Sequence, residues 1–256
     1  MKLQLQNIRK RLIYFICCAF SLSSWVVADE IRLESAEESV AVVELFTSHG
    51  CSSCPPADKW LRQFTNHQGL WSRVIPMVFH VDYWDYLGWK DQFSRSSYSE
   101  RQRQYRDSGG VRSVYTPGFV VKGKEWRGWF RGSAPDITPG RKVGRLQAVV
   151  MPGQQVTAVF KPVADLDYAD ITAHAAILGF GINSKIGGGE NSGRELKQDF
   201  VVLGDSSGRI SNRFEWTIPW PEINSTSGNR RAVVVWLSRQ SDPTPIQAVA
   251  GWLAQR

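Results

Sequence analysis

The tetrapeptide Cys51-Ser52-Ser53-Cys54 sits where an almost continuous apolar run, residues 40–46, gives way to a helical pattern opening on Pro55-Pro56. That placement constrains the fold more than any other feature. The apolar run suits a strand buried on both faces. The two prolines suit a first helical turn, where a missing N–H costs nothing. Ala57, Trp60, Leu61 and Phe64 then recur at helical spacing. A CxxC at such a turn brings two sulfurs within bonding range. It also puts the first at a helix N-terminus, where unpaired N–H groups favour a thiolate. The same spacing is also half of a zinc site. No second CxxC and no HxxxH exists to complete one.

The first 28 residues bear on the redox compartment. They hold four of the 31 basic residues and none of the 24 acidic ones. Their apolar stretch, residues 12–27, is about 16 residues, short of the roughly 20 that span a bilayer. Val26-Val27-Ala28 offers small residues for cleavage before Asp29. We therefore read residues 1–28 as a signal peptide and expect a periplasmic or secreted protein. No membrane association is expected after cleavage. Removal takes Cys17 and Cys18 with it, so Cys51 and Cys54 become the only thiols in an oxidising compartment. The remaining charge of +3 is too mild to argue for nucleic acid.

The rest of the pattern predicts two domains. Residues 29–39 are polar and read as a loose lead-in. Strands are expected over 40–46, 74–81, 118–121 and 125–130, with helices after Cys54 and over 96–107. Residues 40–140 would form one α/β domain. Residues 133–144 are rich in Pro, Gly and charge and suit a connection, with a short helix possible over 141–149. Beyond them, short strand-like runs recur every eight to fifteen residues. Residues 141–256 thus read as an all-β, sandwich-like domain. Gly187-Gly188-Gly189 lacks the partners of a phosphate loop and reads as a hairpin.

Two resemblances follow from these residues. A strand, CxxC at the next helix start, and Thr116-Pro117 before a later strand together resemble a thioredoxin fold. Longer strings are more specific. They are residues 43–58, His80-Val81-Asp82-Tyr83-Trp84 and its continuation to residue 91, Ser99-Glu100-Arg101-Gln102, residues 114–117 and residues 189–194. These resemble the secreted bacterial family catalogued as domain of unknown function 1223.

The thioredoxin resemblance implies that Pro117 is cis and faces the cysteines, with Thr116 beside it at a peptide-docking edge. It implies Cys51 as an exposed attacking thiolate and Cys54 as the resolving thiol. It also implies a buried acid near Glu44 that moves protons for Cys54. Independently, His80, Asp82, Tyr83 and Trp84 follow the second strand, at the sheet edge where α/β ligands gather, and are expected to contact substrate. The expected function is a thiol–disulfide oxidoreductase acting on protein thiols or disulfides, with no cofactor. The alternatives are a copper-binding or metal-delivery module using the cysteines with His49 or His80, and a binding module with a structural disulfide.

Overall fold

The computed structural model describes residues 30–163, 170–223, 225 and 227–254. The proposed signal segment, with Cys17 and Cys18, lies outside the described residues. In chain order the elements are β1 (Ile31–Glu34), β2 (Ala41–Thr47), α1 (Cys54–Leu61), β3 (Val74–His80), α2 (Ser96–Asp107), β4 (Gly118–Val121) and β5 (Lys124–Glu125). There follow β6 (Gly144–Met151), β7 (Gln155–Pro162), β8 (Ile171–Phe180), β9 (Ile182–Lys185), β10 (Glu195–Gln198), β11 (Val201–Ser207) and β12 (Arg209–Asn212). The last three are β13 (Glu215–Pro219), β14 (Arg230–Arg239) and β15 (Asp242–Trp252).

This architecture corrects the expectation of an α/β thioredoxin-like domain followed by a separate all-β domain. The described chain is mostly β, with α-helices of only 8 and 12 residues. Its central layer is one eight-stranded sheet in the order β15-β14-β8-β11-β3-β2-β4-β5. Strands from both halves of the sequence share it. The seam is a parallel contact of Val201 on β11 with Val78 on β3, joined by the Val78 N–H donating to the Phe200 carbonyl at 2.9 Å. A boundary at residue 140 would cut through this sheet.

Strand patterning explains the layers. Side chains alternate across a strand, so one strand can serve two cores. On β14, Ala232, Val234 and Trp236 enter one core, and Val233, Val235 and Leu237 enter the other. The second core lies against a five-stranded sheet, β1-β6-β7-β13-β12. Strands β6 and β7 alternate in burial, as expected for an outer layer with one face on a core. The polar lead-in contributes β1 to this layer, pairing Ile31 with Val150. The region expected as a short helix over 141–149 is strand β6 instead, paired with β1 and β7. The expected strand over 125–130 is only β5, followed by a 3-10 turn at Gly128–Arg131.

Parity on β2 decides which residues can reach the cysteines. Thr47 donates a hydrogen bond to Asp58 of α1 at 3.2 Å. Glu44 instead takes a hydrogen bond from Arg101 of α2 at 2.5 Å, and Phe46 meets Tyr105 of α2. The two helices therefore cover opposite faces of β2.

Candidate functional site

Cys51 and Cys54 form a disulfide across the start of α1, with Cα atoms 5.5 Å apart. Strand β2 delivers the pair to the sheet edge. Strand β4 runs antiparallel to β2, with Gly118 opposite Phe46, so Pro117 enters at that same edge. The Thr116–Pro117 bond is cis. Trp84 spans the two features: its indole N–H donates to the Thr116 hydroxyl at 2.7 Å, and its Cβ lies against Gly50.

Cys51 was expected to be exposed, but the structure corrects this. Cys51 is 1% and Cys54 0% exposed. Ser53 Oγ lies 3.3 Å from Cys51 Sγ. The turn is clasped by a segment from the second half of the chain. Asn191 donates from Nδ2 to the carbonyls of both His49 and Cys51 at 2.8 Å. Glu190 accepts from the Ser52 backbone N–H at 2.9 Å and from its hydroxyl at 2.7 Å. These Ser52 bonds hold the Glu190 carboxyl below its ordinary pKa. The three glycines allow this close approach. A Cβ at Gly187 would meet the Trp89 ring at 2.7 Å, and one at Gly188 the Gly88 carbonyl oxygen at 2.7 Å. At Gly189, φ is +69°, and a Cβ would sit 3.2 Å from Gly50 Cα. The expected hairpin is present, with β9 pairing antiparallel with β10, and its loop is a fitted clasp.

Behind the cysteines lies a buried polar cluster. Asp58 stands four residues after Cys54 on α1, the spacing at which helical side chains are neighbours. Burial pushes its carboxyl up to about 7, against the pull of His80 and the Thr47 hydrogen bond. Its Oδ1 has no hydrogen-bond partner. His80 pairs with Thr47 across β3 and β2. Asp91 accepts from the His80 Nδ1–H and from the His49 backbone N–H, at 2.7 and 2.8 Å. Burial opposes ionisation of Asp91, but the neighbouring His80 and His49 overcome it and hold the carboxyl well below the carboxylate range. Gln198 of β10 touches both imidazoles. His49, His80 and Asp91 bring metal-ligand atoms within 4.8 Å of one another. Three of the four ring nitrogens are already hydrogen-bonded to Gln198 or Asp91, and the cysteine sulfurs are bonded to each other. This is a closed hydrogen-bonded cluster rather than an open coordination site.

The residues expected from sequence divide accordingly. Cys51, Cys54, Pro117, Thr116 and Trp84 meet at one edge. His80 is fully buried beneath it, so the structure corrects its reading as a substrate contact. Asp82 is tied to α2 by Ser99, which donates to its Oδ1 at 2.5 Å. Tyr83 donates to Gln102 of α2 at 3.0 Å. Glu44 is corrected too: it faces α2, on the side of the sheet away from α1, paired with Arg101. Sequence reasoning missed Asp58, Asp91, Gln198 and Asn191. Only Asp58 carried a signal, its i+4 spacing from Cys54. His174, away from the site, bonds Ser207 and Ser238 and is pushed down to about 3 by burial.

Fold and site together define a predominantly β protein with a clasped CxxC disulfide at a strand–helix turn. The chain belongs to the protein family of unknown function DUF1223, whose model matches residues 42–238. Among solved structures it is similar to protein AGR_C_4864 from Agrobacterium tumefaciens. Identity is 25% and the TM-score 0.54, over 86% of this chain and 97% of that one. It is also similar in fold to HBP35 of Porphyromonas gingivalis. There identity is 16% and the TM-score 0.53, over 86% of this chain and 76% of that one. No curated protein matches the chain.

Proposed function

We propose that this protein is an exported thiol–disulfide oxidoreductase working through Cys51 and Cys54. The observation that carries the reading is the placement of that disulfide at the start of α1, one helical turn from the buried carboxyl of Asp58, which burial raises to about 7. The leader-like residues 1–28 support export. Among the described residues, no helix is long and apolar enough to cross a membrane.

In the oxidising direction, a substrate thiolate attacks Cys51 Sγ. The Cys51–Cys54 bond breaks and its electron pair leaves on Cys54, which takes a proton from Asp58. A second substrate thiolate then attacks the substrate sulfur of the mixed disulfide. Cys51 leaves as a thiolate at the helix N-terminus. Two substrate thiols become one disulfide, and the protein becomes a dithiol. The reverse sequence reduces a substrate disulfide. Asp58 thus takes the proton role expected of Glu44. Because both cysteines are buried, a protein substrate reaches Cys51 only when the Glu190–Asn191 clasp moves. The partners are protein thiols or disulfides in the exported compartment.

The test is capture of the intermediate. Reduced Cys54→Ser protein, mixed with a disulfide-bonded peptide, should accumulate one peptide adduct on Cys51. Cys51→Ser should accumulate none. Absence of an adduct in both variants counts against exchange and leaves a structural disulfide.

A further inference from the structure

A cavity of about 610 Å³ lies between the end of α2 and β5, lined in part by Gly109, Gly110, Arg112, Lys124, Glu125 and Arg127. Its base is fixed. The Glu125 N–H donates to the Gly110 carbonyl at 2.8 Å. A Cβ at Gly110 would lie 2.6 Å from the Gly123 carbonyl oxygen, so a side chain has no room there. At Gly109, φ is +75° and nothing lies within 4 Å of where a Cβ would stand, so the mouth is open.

The lining carries three cations and one acid. Glu125 is tied up within the wall. It accepts from the Tyr115 hydroxyl at 2.7 Å and from Arg127 Nε at 2.8 Å. Arg127 also lies over the Tyr115 ring, 5.1 Å from its centroid. Arg112 and Lys124 are exposed and make no ion pair among the described residues. Lys124 Nζ only approaches the Gly109 carbonyl, at 3.5 Å. The cavity therefore presents positive charge that the protein itself does not balance.

From this cavity a strip of free backbone leads to the candidate site. Residues 112–116 are all exposed or half-buried. Among the described residues, none of them makes a backbone–backbone hydrogen bond. Side chains engage two of their groups: Gln102 donates to the Tyr115 carbonyl at 2.7 Å, and the Arg112 N–H donates to Glu125. The remaining N–H and C=O groups are open to pairing with another chain. The strip ends at Thr116, whose hydroxyl takes the Trp84 indole N–H. Trp84 in turn rests against Gly50, the residue before Cys51. Contacts thus run unbroken from the cavity to the cysteine turn.

We propose that this cavity binds acidic side chains in the flank of the protein segment whose cysteine reacts with Cys51, with Arg112 and Lys124 receiving the carboxylates. Unbalanced cations select carboxylates. Backbone pairing along 112–116 selects a peptide over a free ion. An extended peptide advances about 3.3 Å per residue, so one short segment spans cavity and cysteine turn together. The identity of that segment rests on the exchange reaction proposed above, whereas the preference for carboxylates does not.

The experiment uses fluorescent peptides of one sequence around a central cysteine. One flank is glutamate, glutamine or lysine, placed on either side of the cysteine in turn. Binding of the serine-for-cysteine versions to the oxidised full-length protein reads the cavity without exchange. Oxidation of the cysteine versions reads exchange. On one side of the cysteine, the glutamate flank should bind roughly three- to tenfold tighter than glutamine at low salt, as two exposed ion pairs imply. Lysine should bind more weakly still, and the margin should shrink as salt rises past about 0.1 M. Arg112→Gln combined with Lys124→Gln should abolish the margin, and Lys124→Glu should improve binding of the lysine flank. Each reading is a ratio between peptides on one protein, so a partly unfolded variant does not imitate it. Equal binding of glutamate and glutamine flanks, or a margin that survives the double substitution, overturns the proposal. Inorganic phosphate binding more tightly than the glutamate peptide makes this a small-anion site and overturns the peptide assignment. Glutamate-selective binding with no cysteine peptide oxidised overturns the exchange reading and leaves an acidic-peptide site. Oxidation at equal rates for every flank overturns the cavity's part in substrate choice and leaves exchange standing.

Discussion

Burial raises the Asp58 carboxyl to about 7, so the folded protein holds a proton there that the unfolded chain releases near pH 4. Stability tied to this proton is complete below the unfolded value of about 3.9 and is lost as pH rises through the folded value of about 7. Asp58→Asn carries no charge and escapes that loss. We expect the oxidised variant to gain on the order of 2–4 kcal/mol over wild type between pH 4 and pH 8, as a shift of about three units implies. Denaturant unfolding of both proteins at the two pH values checks this. Parallel stability–pH curves would contradict it. Asp58 was legible as the i+4 neighbour of Cys54. Glu44 drew attention because the thioredoxin resemblance implies a buried acid near it, but the face it points to depends on the parity of β2 against two helices. Asp91 and Gln198 carried no signal, since a loop and a short distant strand bring them together only in the folded chain.

In the proposed reaction the clasp is the element that controls access to the cysteine pair. Asn191 spends its amide on two backbone carbonyls of the cysteine turn, and a buried acceptor left unpaired costs roughly 1–3 kcal/mol. Asn191→Ala should loosen the clasp. A small dithiol should then reduce the Cys51–Cys54 bond several-fold faster than in wild type. An unchanged rate would show that access is governed elsewhere, for example by Trp84. The buried strands β2, β3 and β4 were legible as apolar runs, α1 by helical spacing, and α2 as a polar, helix-compatible stretch. The clasp was not. Its glycines read correctly as a hairpin between β9 and β10, but nothing in them signals that the loop fits against Trp89, Gly88 and Gly50. Strand β1 was equally hidden, because its alternating polar residues suit an outer layer but signal no partner.

The central sheet crosses the sequence midpoint, so the protein is expected to behave as one folding unit. Trp71 of the first half packs against Phe180, Phe200 and Trp252 of the second, with ring centroids 5.1 to 6.2 Å apart. Arg101 of α2 lies over Trp236 of β14 and bonds the Pro243 carbonyl at 3.0 Å. A fragment ending at residue 140 would bare the β3 edge and half of a shared core. We expect it to be unfolded or aggregated, with no cooperative thermal transition. A folded, cooperatively melting fragment would contradict the single-unit description. The Pro- and Gly-rich change of composition near residue 140 pointed to a domain boundary. The β3–β11 seam that overrides it joins residues far apart in sequence, and no local pattern reports such a pairing.

The central claim is that Cys51–Cys54 is a working disulfide rather than a staple. The most direct measurement is the rate at which a dithiol reduces it in the native protein, followed by alkylation and mass, beside the rate of global unfolding under the same conditions. Reduction faster than unfolding, with Cys51 alkylated before Cys54, is the expected result. Reduction only as fast as the protein unfolds would contradict the claim and leave the bond as structural.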